Sequence, residues 1–160
     1  MRFKEFQIRI ATNRDIPSIK NVVFLSLKEF GLNPDAKGKD KDLNDIEKSY
    51  LADNGFFGVV VNTETKLVVG CFGLFPVSRQ ICELRKMYLV KELRGKGLGK
   101  FILDTAIQVA RDKHYKKIIL ETISALKTAI FLYKRYGFKE MKPKETNARV
   151  DQAYELDIYP

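Results

Sequence analysis

The sequence predicts an α/β fold built on one mixed sheet with helices packed against it. Three observations carry this reading. Residues Phe56 to Val90 are β-rich and broken by two tight reversals, as in an antiparallel meander. Residues Gly97 to Tyr136 read instead as helix, short apolar strand, helix. A length of 160 residues with 45% apolar content is enough for a core without staples, so a single domain over 1–160 is expected.

The elements follow in order. Phe6 to Ile10 alternates apolar and polar residues and reads as a strand. Thr12-Asn13-Arg14-Asp15 supplies turn and cap chemistry, and Pro17 suits a first helical turn. The helix that follows carries Ile16, Ile19, Val23 and Leu27 on one face and stops at Gly31 and Asn33-Pro34. Asp42 to Leu51 reads as a second, more polar helix. Strands follow over Phe56–Val61, Lys66–Phe75 and Ile81–Val90. Leu98, Phe101, Ile102, Ala106 and Val109 stand at helical spacing within Gly97 to Lys113. Ile118-Ile119-Leu120 is a continuous apolar run, as in a strand covered on both faces. Ala125 to Tyr136 is a helix stopped by Gly137, and Phe138–Met141 and Ala153–Ile158 are closing strands. The predicted order is β-α-α-β-β-β-α-β-α-β-β.

Composition excludes several classes. Two Cys and one His give no disulfide framework and too few soft ligands for a structural zinc, so no metal is expected. No apolar run approaches the ~18 residues of a membrane span. The first six residues lack the apolar stretch of a signal peptide, so a soluble, cytoplasmic protein is expected. Lys and Arg number 29 against 20 Asp and Glu, a net charge of +9. Arg85 to Lys117 alone holds ten basic and three acidic residues, +7 net. Such charge suits nucleic acid, an acidic membrane or a phosphorylated ligand.

Two local features narrow this choice. In Ile81–Val90 the apolar residues Cys82 and Leu84 fall on even positions, but Met87 and Leu89 on odd ones. A regular strand would put these pairs on opposite faces. One extra residue near Arg85-Lys86, a β-bulge, restores a common face and leaves backbone groups free for an extended ligand. Directly afterwards comes Arg94-Gly95-Lys96-Gly97-Leu98-Gly99-Lys100, opening a helix. Glycines admit a ligand close to backbone amides, and a helix start favours phosphate. The run is neither a P-loop, since Phe101 follows Gly99-Lys100, nor a dinucleotide fingerprint, since Lys100 stands where its third glycine belongs.

Arg-x-x-Gly-x-Gly after a bulged strand resembles the acetyl-coenzyme-A site of the GNAT superfamily of N-acetyltransferases. Ile8-Arg9-Ile10-Ala11-Thr12 with Asp15-Ile16 is similar to that family's first strand and helix start. Leu84 to Gly99 is similar to its central motif, and Ala129 to Phe138 to its Ala-x-x-x-Tyr-x-x-x-Gly-Phe motif. The matches are spread over most of the chain in the family's order. The resemblance implies a GNAT-like acyl-CoA N-acyltransferase fold, acetyl-CoA as co-substrate, and direct attack by an amine in a ternary complex. It implies that Met87, Tyr88 and Leu89 offer backbone groups to the acetyl and pantetheine moieties, and that Arg94 to Lys100 hold the pyrophosphate. It makes Tyr133 the general acid for the departing thiolate. Glu83 is the base expected from some protein-acetylating members, with Glu121 and ordered water as rivals. An Asn common in the family is replaced here by Leu126.

The residues agree with this chemistry. A neutral amine, a stabilised oxyanion and a proton for the thiolate are needed. With His114 as the one histidine, in a charged helix end, there is little material for a Ser-His-Asp triad. Cys71 and Cys82 fall within strands and read as buried structural thiols. The acceptor is expected to be a small amine, and the resemblance implies that it binds near Val22–Asp53 and Pro143–Arg149, where Glu29, Asp35, Asp42 and Asp45 could attract a cation. The alternatives are a protein or peptide N-acetyltransferase, a non-catalytic acyl-CoA sensor, and a basic nucleic-acid-binding domain. The last fits least, because no nucleic-acid motif appears. Partners other than acetyl-CoA and the acceptor are not expected, neither nucleic acid nor membrane, and the chain is expected to be a monomer or homodimer.

Overall fold

The computed structural model describes residues 1–159. It contains strands β1 (Arg2–Phe3), β2 (Phe6–Ile10), β3 (Phe56–Asn62), β4 (Val68–Pro76), β5 (Ile81–Leu89), β6 (Lys117–Thr122), β7 (Lys139–Met141) and β8 (Gln152–Asp157). The helices are α1 (Ile16–Glu29), α2 (Leu98–Asp112) and α3 (Lys127–Arg135). The strands form one sheet in the order β1-β2-β3-β4-β5-β6-β8-β7. Every neighbouring pair is antiparallel except β5 and β6, which run parallel. The long connection through α2 makes that parallel pair possible.

Alternation along the strands builds a core on each face. Phe57, Val59 and Cys71 face α1 with Ile19, Val23 and Leu27. Val60, Phe72 and Leu74 face α2 and α3 with Ile102, Ala106 and Ile130. The helix predicted from Gly97 to Lys113 matches α2 to within a residue at each end.

Two elements differ from the sequence expectation. Asp42 to Leu51 is not an α-helix but a 3₁₀ turn, Lys41–Asn44, followed by a π turn, Glu47–Leu51. Side chains capture the backbone N–H groups an α-helix would need. The Asn13 side-chain oxygen accepts from Ile46 N at 2.9 Å and Glu47 N at 3.2 Å, and Asp45 Oδ1 accepts from Lys48 N at 3.0 Å. The two-residue β1, paired to β2 through Arg2 and Gln7, is too short to carry a periodic signal.

The parity slip in β5 is a bulge. Gly73 pairs with Arg85, and Cys71 with Tyr88, so three steps on β5 match two on β4. Lys86 takes up the extra residue with φ +53°. Cys82, Leu84, Met87 and Leu89 then all contact the core beneath α2.

Candidate active site

β5 and β6 pair only through Ile81 to Glu83 and Lys117 to Ile119. Beyond that point the bulge turns β5 away while β6 stays paired with β8 as far as Thr122. The sheet therefore opens into a V. The β6-facing backbone groups of Leu84 to Tyr88 have no strand beside them. The opening continues into a cleft of about 1260 Å³ whose walls include Leu84, Met87 and Leu120.

The glycine run stands where β5 hands over to α2. Gly95 has φ +72° and Gly97 φ +87°, left-handed values that favour glycine. Phe101 N donates to Gly97 O at 3.0 Å, closing the first helical turn. Among the described residues, no protein acceptor meets the N–H groups from Gly95 to Lys100. Gly95, Lys96, Gly97 and Lys100 are exposed and Leu98 is buried under the helix. The loop is thus an array of free donors with two lysines beside it, a surface that suits a pyrophosphate.

Arg94 is arranged differently from the expectation that its charge faces a phosphate. Its Nη1 donates to Glu29 Oε2 at 2.7 Å and its Nε to Leu89 O at 2.9 Å. The guanidinium fastens the loop to α1 and the end of β5, and Glu29 neutralises it there. Lys100 is paired more loosely, with Asp104 Oδ2 at 2.9 Å on the exposed helix surface.

Tyr133 is brought into the V from α3. It is buried, packs its ring on Phe138 at 5.5 Å between centroids, and lines the cleft. Its hydroxyl has one protein contact among the described residues, to the weak acceptor Met87 Sδ at 3.9 Å. Burial pushes the phenol well above its ordinary value, so it keeps its proton at neutral pH. Leu126 precedes α3 and lines the same cleft without offering a polar group.

The opposite wall is charged. Glu83 and Arg85, one pleat apart, both face the cleft. Arg85 Nη2 donates to Glu83 Oε2 at 2.8 Å, and the guanidinium lies over the Phe75 ring at 3.9 Å. Glu121, on β6, lines the cleft as well. Tyr50 reaches this wall because Gly73 has no side chain: a Cβ there would stand 2.6 Å from Tyr50 Cε1. The Tyr50 hydroxyl donates to Asp42 Oδ2. Both segments expected to surround the acceptor meet here, since Asp35, Asp42 and Asp45 line one side and Arg149 the other. Glu29 does not join them, being paired with Arg94.

Sequence reasoning missed Asp40. This fully buried carboxylate accepts two bonds from Arg149, at 2.8 and 2.9 Å, pairs with Lys86 Nζ at 2.9 Å, and accepts from Asp35 N at 2.8 Å. Burial acts to raise its carboxyl, but Arg149, the Asp35 N–H and Lys86 outweigh this and hold it well below the usual carboxylate range. Nothing in an Asp-rich loop marks which aspartate turns inward; the partners lie 46 and 109 positions away (86 − 40 and 149 − 40). Elsewhere the expectations stand: His114 is exposed, and Cys71 and Cys82 are buried, with burial pushing both thiols up to about 12.

Comparison with known proteins agrees with this geometry. Residues 24–138 match the acetyltransferase (GNAT) family. The chain is 37% identical over 140 residues to the uncharacterized N-acetyltransferase YjgM of Escherichia coli, covering 84% of this chain and 82% of that one. A GNAT-family acetyltransferase structure from Staphylococcus aureus shares the fold at a TM-score of 0.87 and 24% identity, over 96% of this chain and 99% of that one. The structure of yncA from Salmonella typhimurium, with its cofactor acetyl-CoA, shares it at a TM-score of 0.76 and 18% identity, over 97% and 95%.

Proposed function

Because the chain belongs to the GNAT family of acetyltransferases, we propose that it is an acetyl-CoA-dependent N-acetyltransferase acting on a small amine by direct transfer in the V between β5 and β6. One observation carries this reading: the unpaired edge of β5 runs along a cleft lined by the buried Tyr133, and the chain that leaves this strand leads directly into the free N–H groups from Gly95 to Lys100. The likeness to a structure holding acetyl-CoA supports the choice of co-substrate. Arg94 serves by fixing the loop, while the backbone from Gly95 to Lys100, with Lys96 and Lys100, holds the pyrophosphate. Met87, Tyr88 and Leu89 offer backbone groups to the pantetheine arm and to the acetyl oxygen as its charge develops.

In the reaction the amine nitrogen bonds to the acetyl carbon and the carbon–sulfur bond breaks. The Tyr133 hydroxyl gives its proton to the departing sulfur and is reprotonated from solvent. Glu83 holds the incoming ammonium and passes the proton that the nitrogen loses to water. Its hydrogen bond from Arg85 fixes the carboxylate in place for this relay. The decisive measurement joins calorimetry with coenzyme A to an amine screen that detects released thiol. Coenzyme A binding with thiol release dependent on an amine is the expected result. Absence of coenzyme A binding removes the reading.

A further inference from the structure

The charged wall opposite Tyr133 points to the chemistry of the acceptor, and this step rests on the function just proposed. Three cations belong to that wall: Arg85, Lys86 and Arg149. Lys86 is occupied by Asp40 at 2.9 Å and Asp42 at 3.4 Å, and it is only 8% exposed. Arg149 is locked to Asp40 through both its terminal nitrogens. Arg85 is different. It donates one hydrogen bond, to Glu83, and among the described residues its other donors meet no acceptor. Its side chain is 32% exposed, so those donors are open to the cleft. Phe75 holds the guanidinium plane from one face, leaving an edge preset to take a carboxylate through two parallel bonds.

Beside that edge stands Glu83, whose carboxylate is 14% exposed and supplies the complementary charge for an ammonium. The wall therefore shows an anion and a cation in direct contact, a pattern matched by a molecule with both charges a few bonds apart. Charge bookkeeping supports this. Asp40 behind the wall and Asp42 on it meet Lys86 and Arg149, and Glu83 meets Arg85, so these six charges cancel. The rest of the lining sets Lys39, Lys41, Lys48 and Lys144 against Asp35, Asp45, Asp53 and Glu121, four charges of each sign, so no excess of anions there offsets the several net positive charges a polyamine brings. A zwitterion brings none. We infer that the acceptor is a free amino acid, its carboxylate held by Arg85 and its amine held by Glu83 toward the thioester.

A panel tests this with the full chain and acetyl-CoA. Each of the common L-amino acids is offered beside its α-amide and its decarboxylated amine, with spermidine added, and thiol release is followed. At least one free acid should be acetylated with a kcat/KM well above its amide and its decarboxylated partner. Arg85→Gln should raise KM for that acid about 10- to 100-fold, as expected for losing hydrogen bonds to a charged group. It should also remove most of the preference for acid over amide and leave coenzyme A affinity within about twofold of the parent. Arg85→Lys, which keeps the charge without the fork, should recover only part of the preference. The unmodified enzyme's preference does not depend on the variants folding. Amides, decarboxylated amines or spermidine used as well as the acids, or no acid used at all, overturns the inference while intact coenzyme A binding leaves the acetyltransferase reading standing. Loss of coenzyme A binding in the unmodified chain ends both.

Discussion

Tyr133 and the two cysteines show how burial alone assigns roles to ionisable groups. The Tyr133 phenol is raised by burial, and among the described residues its hydroxyl meets one polar partner, a thioether, so a proton is present and weakly held in place. Tyr133→Phe keeps the ring packing on Phe138 and deletes that proton. The expected outcome is a kcat lower by roughly 10²-fold or more, with coenzyme A affinity little changed, because the proton is needed only as the thiolate leaves. Steady-state kinetics beside calorimetry checks this, and an unchanged kcat removes Tyr133 from the mechanism. The sign of the shift also fixes a pH limit. A phenol raised above its ordinary value of about 10 stays protonated through pH 7 to 9, so its ionisation gives no alkaline fall in kcat across that range. Cys71 and Cys82, pushed up to about 12 and buried, hold almost no thiolate at neutral pH. Neither should react with a thiol-specific reagent in the native protein, and both should react once it is unfolded in denaturant.

At the scale of an element, the bulge in β5 and the turn into α2 act together. The bulge frees one edge of the strand, and the turn presents donors at its far end. Gly97 and Gly95 separate two contributions to that turn. Both need a left-handed backbone, but a Cβ at Gly97 would stand 3.3 Å from the Phe3 ring, whereas one at Gly95 meets nothing within 4 Å. Gly95→Ala should therefore cost only the left-handed penalty, about 1–2 kcal/mol of stability. Gly97→Val adds a branched side chain over the free N–H groups as well. It should weaken coenzyme A binding by at least about tenfold, as backbone approach is lost. Denaturant unfolding and calorimetry on the two variants distinguish strain from blocked approach.

Across the whole molecule, Asp40 ties three distant segments together: the loop before the 3₁₀ turn, the bulge through Lys86, and the β7–β8 connection through Arg149. Asp40→Asn leaves two largely buried cations without their charge partner and should cost about 3–5 kcal/mol at neutral pH. The pH dependence has a definite sign. A carboxyl held below its ordinary value stabilises the fold fully above that value, about 3.9, and loses the contribution as pH falls toward its folded value. The stability gap between parent and Asp40→Asn should be widest at pH 7 and shrink below about pH 4, measured by urea unfolding at pH 7, 5 and 3. A gap independent of pH would mean that the carboxylate charge is not what holds these segments.

Much of this protein is legible in its sequence because the signals are local. The parity change between Leu84 and Met87 gives the bulge, since side-chain direction alternates residue by residue. The glycines at 95 and 97 give the donor loop, because few other residues accept its backbone angles, and the resemblance of Ala129 to Phe138 to the family motif marks Tyr133 as the candidate acid. The polar segment 41–51 was misleading for a local reason of another kind: its helical pattern lost to Asn13, a side chain more than thirty positions upstream. The sequence by itself determined where backbone is freed and which residue types stand near it. Only the tertiary structure decided which charges face one another. It sent Arg94 to Glu29, Lys86 and Arg149 to Asp40, and left Arg85 open, because pairing depends on distance in space and a carboxylate can satisfy only the cations that packing brings within reach.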